Sequence, residues 1–273
     1  MSVTANDLIG VFDSGVGGLT VYRALREALP HENFVYLGDT ARLPYGVRSA
    51  DIVAQYTLEA AHFLQKQKIK LLVIACHTVS ALALPALHEK VPELACLGVV
   101  APTLEAAITA SRTGHIAVLA TEGTVKSNIY PEMIRALKPG AEAETLACGD
   151  LVTLAEAGKW EGPETEAAIK RYLGMLKSGF DTLVLGCTHF PLLASAIRKL
   201  IPADTALIDS AAATARVVSE ILHTRNLANP QNAAGTSRFL ATAAPEHFAL
   251  LAQRFLNKTI TADLAVIDGT QPI

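Results

Sequence analysis

The sequence predicts an α/β protein of two related halves, each with a mostly parallel central sheet. Three observations predict it. Short, continuously apolar runs alternate with longer amphipathic stretches, the pattern of strands covered by helices on both faces. Hydrophobic residues make up 51% of the 273 and charged residues 18%, enough apolar surface for a sizeable core and too much for a disordered chain. Two strand-and-turn segments also recur in the same order, about 107 and 111 residues apart.

The elements follow from the N-terminus. Residues 8–12 form an apolar strand and 19–29 a helix, which Pro30 stops because its ring clashes with the preceding turn. Residues 34–37 are the next strand. The helix over 49–67 carries Ile52, Tyr56, Leu58, Ala60, Phe63 and Leu64 as a rough helical stripe. A strand over 71–75 and a helix over 80–89 come next. Strands over 116–120 and 182–185 are separated by a helix over 164–178. Residues 228–235, with Asn, Pro and Gly, read as a surface loop.

The recurrence pairs residues 9–15 with 116–123, and 72–78 with 183–189. It places Cys76 and Cys187 at corresponding points of the two halves.

Composition narrows the function. The net charge is −3 and the isoelectric point about 6.2, so the basic surplus of a dedicated nucleic-acid binder is missing. No apolar run approaches the roughly 18 residues of a membrane span. The first residues have neither a basic nor an apolar signal region, so a cytoplasmic protein is expected. Four cysteines in so long a chain are not a disulfide framework. Cys96 and Cys148 lie in contexts that suit packing.

Cys76 and Cys187 have a different context. Each follows a strand and precedes a polar pair and then a helix. Ligands of open α/β sheets sit at the carboxyl ends of the strands, and a helix N-terminus there favours a thiolate. Two thiols so placed have three chemical readings. They could form a redox pair, although no C-x-x-C is present. They could hold zinc with His77 and His189, although Cys and His at adjacent positions are awkward for joint ligation. They could also move protons at opposite faces of one substrate carbon, one as thiolate base and the other as thiol acid. The ordinary thiol pKa of about 8.5 suits that last task with little tuning.

Three loops could complete a site. Asp13-Ser14-Gly15-Val16-Gly17-Gly18 follows the first strand and reads either as an anion-binding turn or as a capped tight turn. It lacks the Lys of a phosphate loop, so a carboxylate is the better anion. Pro44-Tyr45-Gly46, after the second strand, forms a turn that either lines a pocket or lies on the surface. Thr121 and Thr124 occupy the place in the second half that Asp13-Ser14 takes in the first. Their hydroxyls either bind substrate or cap a helix.

Together these segments resemble the glutamate racemases of the aspartate/glutamate racemase superfamily. The resemblance is carried by residues 13–21 and 36–46, by Ala75-Cys76, by Gly186-Cys187-Thr188-His189 and by Ile208-Asp209-Ser210. It extends to Phe239-Leu240-Ala241-Thr242 and so over nearly the whole chain. It implies two pseudo-symmetric α/β domains with the active site at their interface. The first would comprise residues 1–97 plus 208–273, and the second residues 98–207. It implies cofactor-independent interconversion of L- and D-glutamate to supply peptidoglycan synthesis, with no metal, and a homodimer without nucleic-acid or membrane partners.

Cys76 and Cys187 would be the acid–base pair, with Cys187 deprotonating the L-isomer. Asp13 would assist Cys76, and His189 and Glu156 would assist Cys187. Substrate contacts would come from Ser14, Pro44, Tyr45, Gly46, His77, Thr78, Thr121, Thr124 and Thr188. The family most often has Asn where this chain has His77. A neutral His77 could donate one hydrogen bond, whereas a charged one would favour the Cys76 thiolate. Alternatives to this reading are an aspartate or hydantoin racemase, a decarboxylase relative that needs one cysteine, and a binding protein on the same fold.

Overall fold

The computed structural model describes residues 3–267. The chain opens with β1 (Leu8–Asp13), α1 (Leu19–Ala28), β2 (Phe34–Gly38), α2 (Ala50–Lys66) and β3 (Ile69–Ile74). Two short helices, α3 (His77–Leu82) and α4 (Leu84–Lys90), lead to β4 (Cys96–Gly98). α5 (Val100–Ala110) carries the chain into a second group of elements. These are β5 (His115–Ala120), α6 (Glu122–Lys126), α7 (Ile129–Leu137), β6 (Glu142–Ala147), α8 (Gly149–Glu156), α9 (Pro163–Leu173), β7 (Thr182–Gly186), α10 (Ala194–Arg198) and β8 (Ala206–Asp209). The chain then returns through α11 (Ser210–Thr224), β9 (Ser237–Ala241), α12 (Pro245–Leu256) and β10 (Asp263–Leu264).

The strands form two sheets, β10-β9-β2-β1-β3-β4 and β6-β5-β7-β8, and every pairing is parallel. The order β2-β1-β3-β4 recurs as β6-β5-β7-β8. The echoed strands, β1 with β3 and β5 with β7, therefore occupy the two middle positions of this recurring four-strand order, as a pseudo-symmetric α/β fold requires.

Alternation along the strands builds the core. Val11, Tyr36 and Val73 face one apolar layer, while Phe12, Leu37 and Ile74 face the other. In the second sheet, Ala117 and Leu119 face α8 and α9, and Ile116 and Val118 face α5 and α7. Both faces are covered, which is why these strands read as unbroken apolar runs. Ser49 accepts the Ile52 N–H at the start of α2, and Asp209 accepts the Ala211 N–H, 2.8 Å away, at the start of α11.

Two predicted helices differ in the fold. The helix expected over 80–89 begins earlier and is broken at Ala83. Pro85 has no N–H and cannot sit in a helix interior, but it fits the first turn of α4. The helix expected over 164–178 ends at Leu173, where Gly174 favours the stop. The edge strands β4, β6, β8 and β10, and β9 between β10 and β2, had no apolar run long enough to announce them. No helix among the described residues is long and apolar enough to cross a membrane.

Candidate active site

The carboxyl ends of the central strands of both sheets open on one cavity of about 710 Å³. Ser14 follows β1, Cys76 follows β3, Thr121 follows β5 and Cys187 follows β7, and all four border it. Parallel packing points every strand's carboxyl end the same way, so local connectivity alone delivers these residues to one edge of each sheet.

On the first-half wall, Cys76 is the N-cap of α3, is 7% exposed and lies 3.6 Å from the Ser14 hydroxyl. Burial, followed by the charge of Asp13, pushes its thiol up to about 12, against the Val79 N–H and the Ser14 hydroxyl. Cys76 is thus a thiol at neutral pH. Asp13 ends β1 and is fully buried, and its Oδ2 accepts the Gly15 N–H at 2.9 Å. Burial raises its carboxyl pKa, while the His189 charge and the Gly15 and Gly18 N–H groups pull it down. The glycine loop therefore receives a carboxylate of its own chain. Tyr36 Oη donates to Gly15 O at 2.8 Å and pins the loop from below.

His77 borders the cavity beside Cys76 but is almost fully buried, and neither ring nitrogen has a partner. Burial pushes its imidazole down to about 3, so it is neutral. The charged alternative for this residue is thereby removed.

The second-half wall carries a relay. Cys187 Sγ lies 3.7 Å from His189 Nδ1, and His189 Nε2 lies 3.1 Å from Glu156 Oε1. Burial opposes charge on His189, but the hydrogen bonds to Cys187 and Glu156 outweigh it and lift its pKa to about 10. The hydrogen bond to His189 in turn lowers the Glu156 carboxyl, against partial burial. A thiolate formed at Cys187 has a cation at hand. The two thiols therefore differ in setting: one faces neutral groups and a buried carboxyl, the other an imidazolium.

Several contacts lock the halves together. Thr78 Oγ1 lies 2.8 Å from Thr121 Oγ1, which lies 3.0 Å from Thr124 Oγ1, so hydroxyls at the starts of α3 and α6 form one chain. Thr121 uses its hydroxyl here and not to cap α6. Thr20 Oγ1 donates to Thr188 O at 3.0 Å. Gly17 allows the closest approach, because a Cβ there would lie 2.4 Å from Thr188 Oγ1 and 2.5 Å from His189 Cε1.

The turn at Tyr45–Val47 is held from beneath. Tyr45 Oη donates to the buried Asp39, which also accepts from Arg42 Nε at 2.6 Å and Thr242 Oγ1 at 2.7 Å. Arg42 pairs further with Glu59, and its guanidinium lies 4.1 Å from the centre of the Tyr56 ring.

Of the residues singled out from sequence, all but Asp13 and Thr124 border the cavity, and those two lie behind Cys76 and Thr121 respectively. Cys148 is buried, with its thiol toward Leu146 O, and Cys96 is half-buried on β4. No group of three His, Cys, Asp or Glu side chains is placed to hold a metal among the described residues. Sequence reasoning passed over Thr20, Asp39, Arg42 and Glu59. Only Asp39 and Arg42 carried a signal, as polar residues inside a loop already suspected of lining a pocket.

Comparison with known proteins gives the lineage. A family model described as Asp/Glu/Hydantoin racemase matches residues 9–218. The glutamate racemase of Geobacter metallireducens is 43% identical over 249 residues, covering 91% of this chain and 92% of that protein. The structure of glutamate racemase from Thermus thermophilus in complex with beta-chloro-D-alanine matches with a TM-score of 0.88 at 38% identity, over 96% of this chain and 98% of that one. Glutamate racemase from Francisella tularensis in complex with D-glutamate matches with a TM-score of 0.90 at 31% identity, over 97% and 99%. A family match over most of the chain, on the same two-sheet frame, makes this protein a member of the Asp/Glu/Hydantoin racemases, a family of isomerases.

Proposed function

We propose that this protein interconverts L- and D-glutamate without a cofactor, using Cys76 and Cys187 as the two proton-transfer groups. One observation carries the reading: two buried thiols, at matching strand ends of two pseudo-symmetric halves, border a single cavity. Similarity to glutamate racemases, one of them solved with D-glutamate, supports glutamate as the substrate.

The chemistry follows from the settings of the two thiols. In the L to D direction the Cys187 thiolate takes the Cα proton while His189 holds the matching positive charge. The Cys76 thiol then delivers its proton to the opposite face of Cα. The carbanion formed in between has only a brief existence, and preorganised donors with water excluded must stabilise it. Among the described residues no lysine or arginine borders the cavity, so the substrate carboxylates are bound by hydroxyls and backbone N–H groups at the first turns of α3 and α6. Asp13 supports Cys76, and Glu156 supports Cys187 through His189. His77, being neutral, can donate one hydrogen bond to a carboxylate.

In this reading the protein acts in the cytoplasm as a homodimer and supplies D-glutamate for peptidoglycan. Its two domains are residues 1–97 with 208–273, and residues 98–207. The test is incubation with L-glutamate in D2O, following optical rotation and Cα deuteration. Racemisation with deuterium uptake is expected, and it is lost in Cys76→Ala and in Cys187→Ala while glutamate still binds. Exchange with aspartate alone would change the substrate. Substantial turnover in either cysteine variant would end the two-thiol mechanism.

A further inference from the structure

We propose that Arg254, on a helix of the first half, is a positioning residue for the Cys187 side of the reaction. The inference rests on the two-cysteine reading above. α12 lies between β9 and β10 of the first sheet, yet its last turn reaches the second half. Arg254 Nη1 donates to Glu156 O at 2.7 Å. Glu156 is the last residue of α8, so its carbonyl is among those a helix leaves without an internal partner. A guanidinium also complements the negative end of the helix. Gly158, at φ +76°, turns the chain beside this guanidinium, and a Cβ there would lie 3.4 Å from Arg254 Nη1. The next residue, Phe255, presents its ring at 84° to His189 with centroids 5.8 Å apart. Arg23 Nη1 in α1 donates to Phe255 O at 3.1 Å and fixes the end of α12.

Consecutive residues of α12 thus hold both members of the relay that faces Cys187. The need for this hold is visible at Glu156. Its side chain is 42% exposed, so packing alone does not fix the carboxylate that meets His189. The neighbouring α8 carbonyls are capped locally, Leu154 O by the Lys159 N–H and Ala155 O by the Trp160 indole. Arg254 supplies the cap that arrives from the first half. The second half's proton-transfer group is therefore held in register by the first.

The test uses the full-length protein with L- and D-glutamate, each protiated or deuterated at Cα, comparing Arg254→Ala and Arg254→Lys with the unaltered protein. In Arg254→Ala, kcat/KM is expected to fall about tenfold, equally in both directions because the two enantiomers have equal free energy. The isotope effect on kcat/KM is expected to rise with L-glutamate, whose proton goes to Cys187. It should fall toward unity with D-glutamate, whose proton goes to Cys76. Arg254→Lys should restore most of the rate. A general loosening of the fold would move both isotope effects together. Isotope effects that stay put, move together or shift in the opposite sense overturn the proposal, as does Lys failing to recover any rate. Cys187→Ala, run alongside, separates the two inferences. Turnover there overturns the two-cysteine reading. Loss of turnover there, with unmoved isotope effects in Arg254→Ala, overturns the role of Arg254 alone.

Discussion

Gly17 of the first half packs directly against His189 of the relay, and Gly17→Ala tests whether that approach sets its geometry. A Cβ at this position would lie 2.5 Å from His189 Cε1, 2.6 Å from His189 Nδ1 and 2.4 Å from Thr188 Oγ1. An unstrained carbon contact is roughly 3.5 Å, so the imidazole must retreat by about 1 Å. It has little room to do so. Nδ1 is already 3.7 Å from Cys187 Sγ, Nε2 is tied to Glu156, and Phe255 stands edge-on to the ring. The displacement therefore passes to the thiol's partner or to the spacing of the halves. A misplacement of about 1 Å at a reacting group lowers the rate by roughly 100-fold, or ~2.7 kcal/mol. Overpacking adds a stability loss of about 1–3 kcal/mol. The assay is racemisation of glutamate by circular dichroism, with a urea melt of the same sample. Turnover within twofold of the unaltered protein, with an unshifted melt, would refute the argument that this glycine holds His189 in place.

Further perturbations follow from other contacts. Glu156→Gln removes an anion that helps keep His189 charged, so the His189 Cε1–H resonance should titrate well below the unaltered protein's value of about 10. Because the folded pKa is raised, the associated stability is complete below about 6.5 and lost as pH rises toward 10; the variant should lose it earlier. Asp181 accepts from Ser111 Oγ and from the Arg112 and Thr113 N–H groups, each at 2.7 Å. Burial works against its charge, but these bonds and Thr182 win and hold the carboxyl well below the ordinary range. Asp181→Asn should cost about 2–3 kcal/mol at neutral pH. The gap should narrow below about pH 4 as the carboxylate of the unfolded chain protonates, and close only at the far lower pH where the native one does so; a gap independent of pH would contradict the assignment. Lys70 is buried against Glu32 Oε2 at 2.5 Å and also donates to Ala5 O and Leu227 O. Lys70→Met strands a buried carboxylate and should cost about 3–5 kcal/mol in a urea melt. Adding Glu32→Gln should recover part of that, and no recovery would show that the pair is not the source.

The unequal settings of the two thiols give the site a built-in direction at rest. Cys76 is held as a thiol by burial and by Asp13. The imidazolium of His189 stands against Cys187. This is the arrangement that receives the L-isomer in the proposed mechanism, and one L to D turnover leaves Cys187 as the thiol and Cys76 as the thiolate, a net transfer of one proton from the Cys76 side to the Cys187 side. Recovery of the starting state then requires proton return between the two walls. The buried, unpaired imidazole of His77 sits beside Cys76, where the resemblance led one to expect an amide. It keeps the Cys76 wall free of positive charge.

The sequence by itself determined the strands β1, β2, β3, β5 and β7, the helical stretches of α1, α2, α3–α4 and α9, and the points where chemistry could sit. Those features are local. A strand covered on both faces must be apolar throughout, and a parallel strand must hand its carboxyl end to a loop, so Cys76 and Cys187 were legible at strand ends. The internal echo also revealed that the two cysteines correspond. Edge strands such as β6 and β10 were not legible, because their exposed faces tolerate polar residues and blur the pattern. The split of α3 from α4 turned on Pro85 and was only partly readable.

Tertiary structure decided what lies next to what. Asp39 and Thr242 are far apart in the chain, as are Gly17 and His189 or Arg254 and Glu156, and no periodicity records such pairs. The protonation settings were equally hidden. The same thiol lies high beside a buried carboxyl and meets a cation beside an imidazolium, and only packing chooses between them. Burial likewise made His77 neutral. Side-chain type can be read along a chain, but desolvation and charge proximity exist only once the two halves have closed on each other.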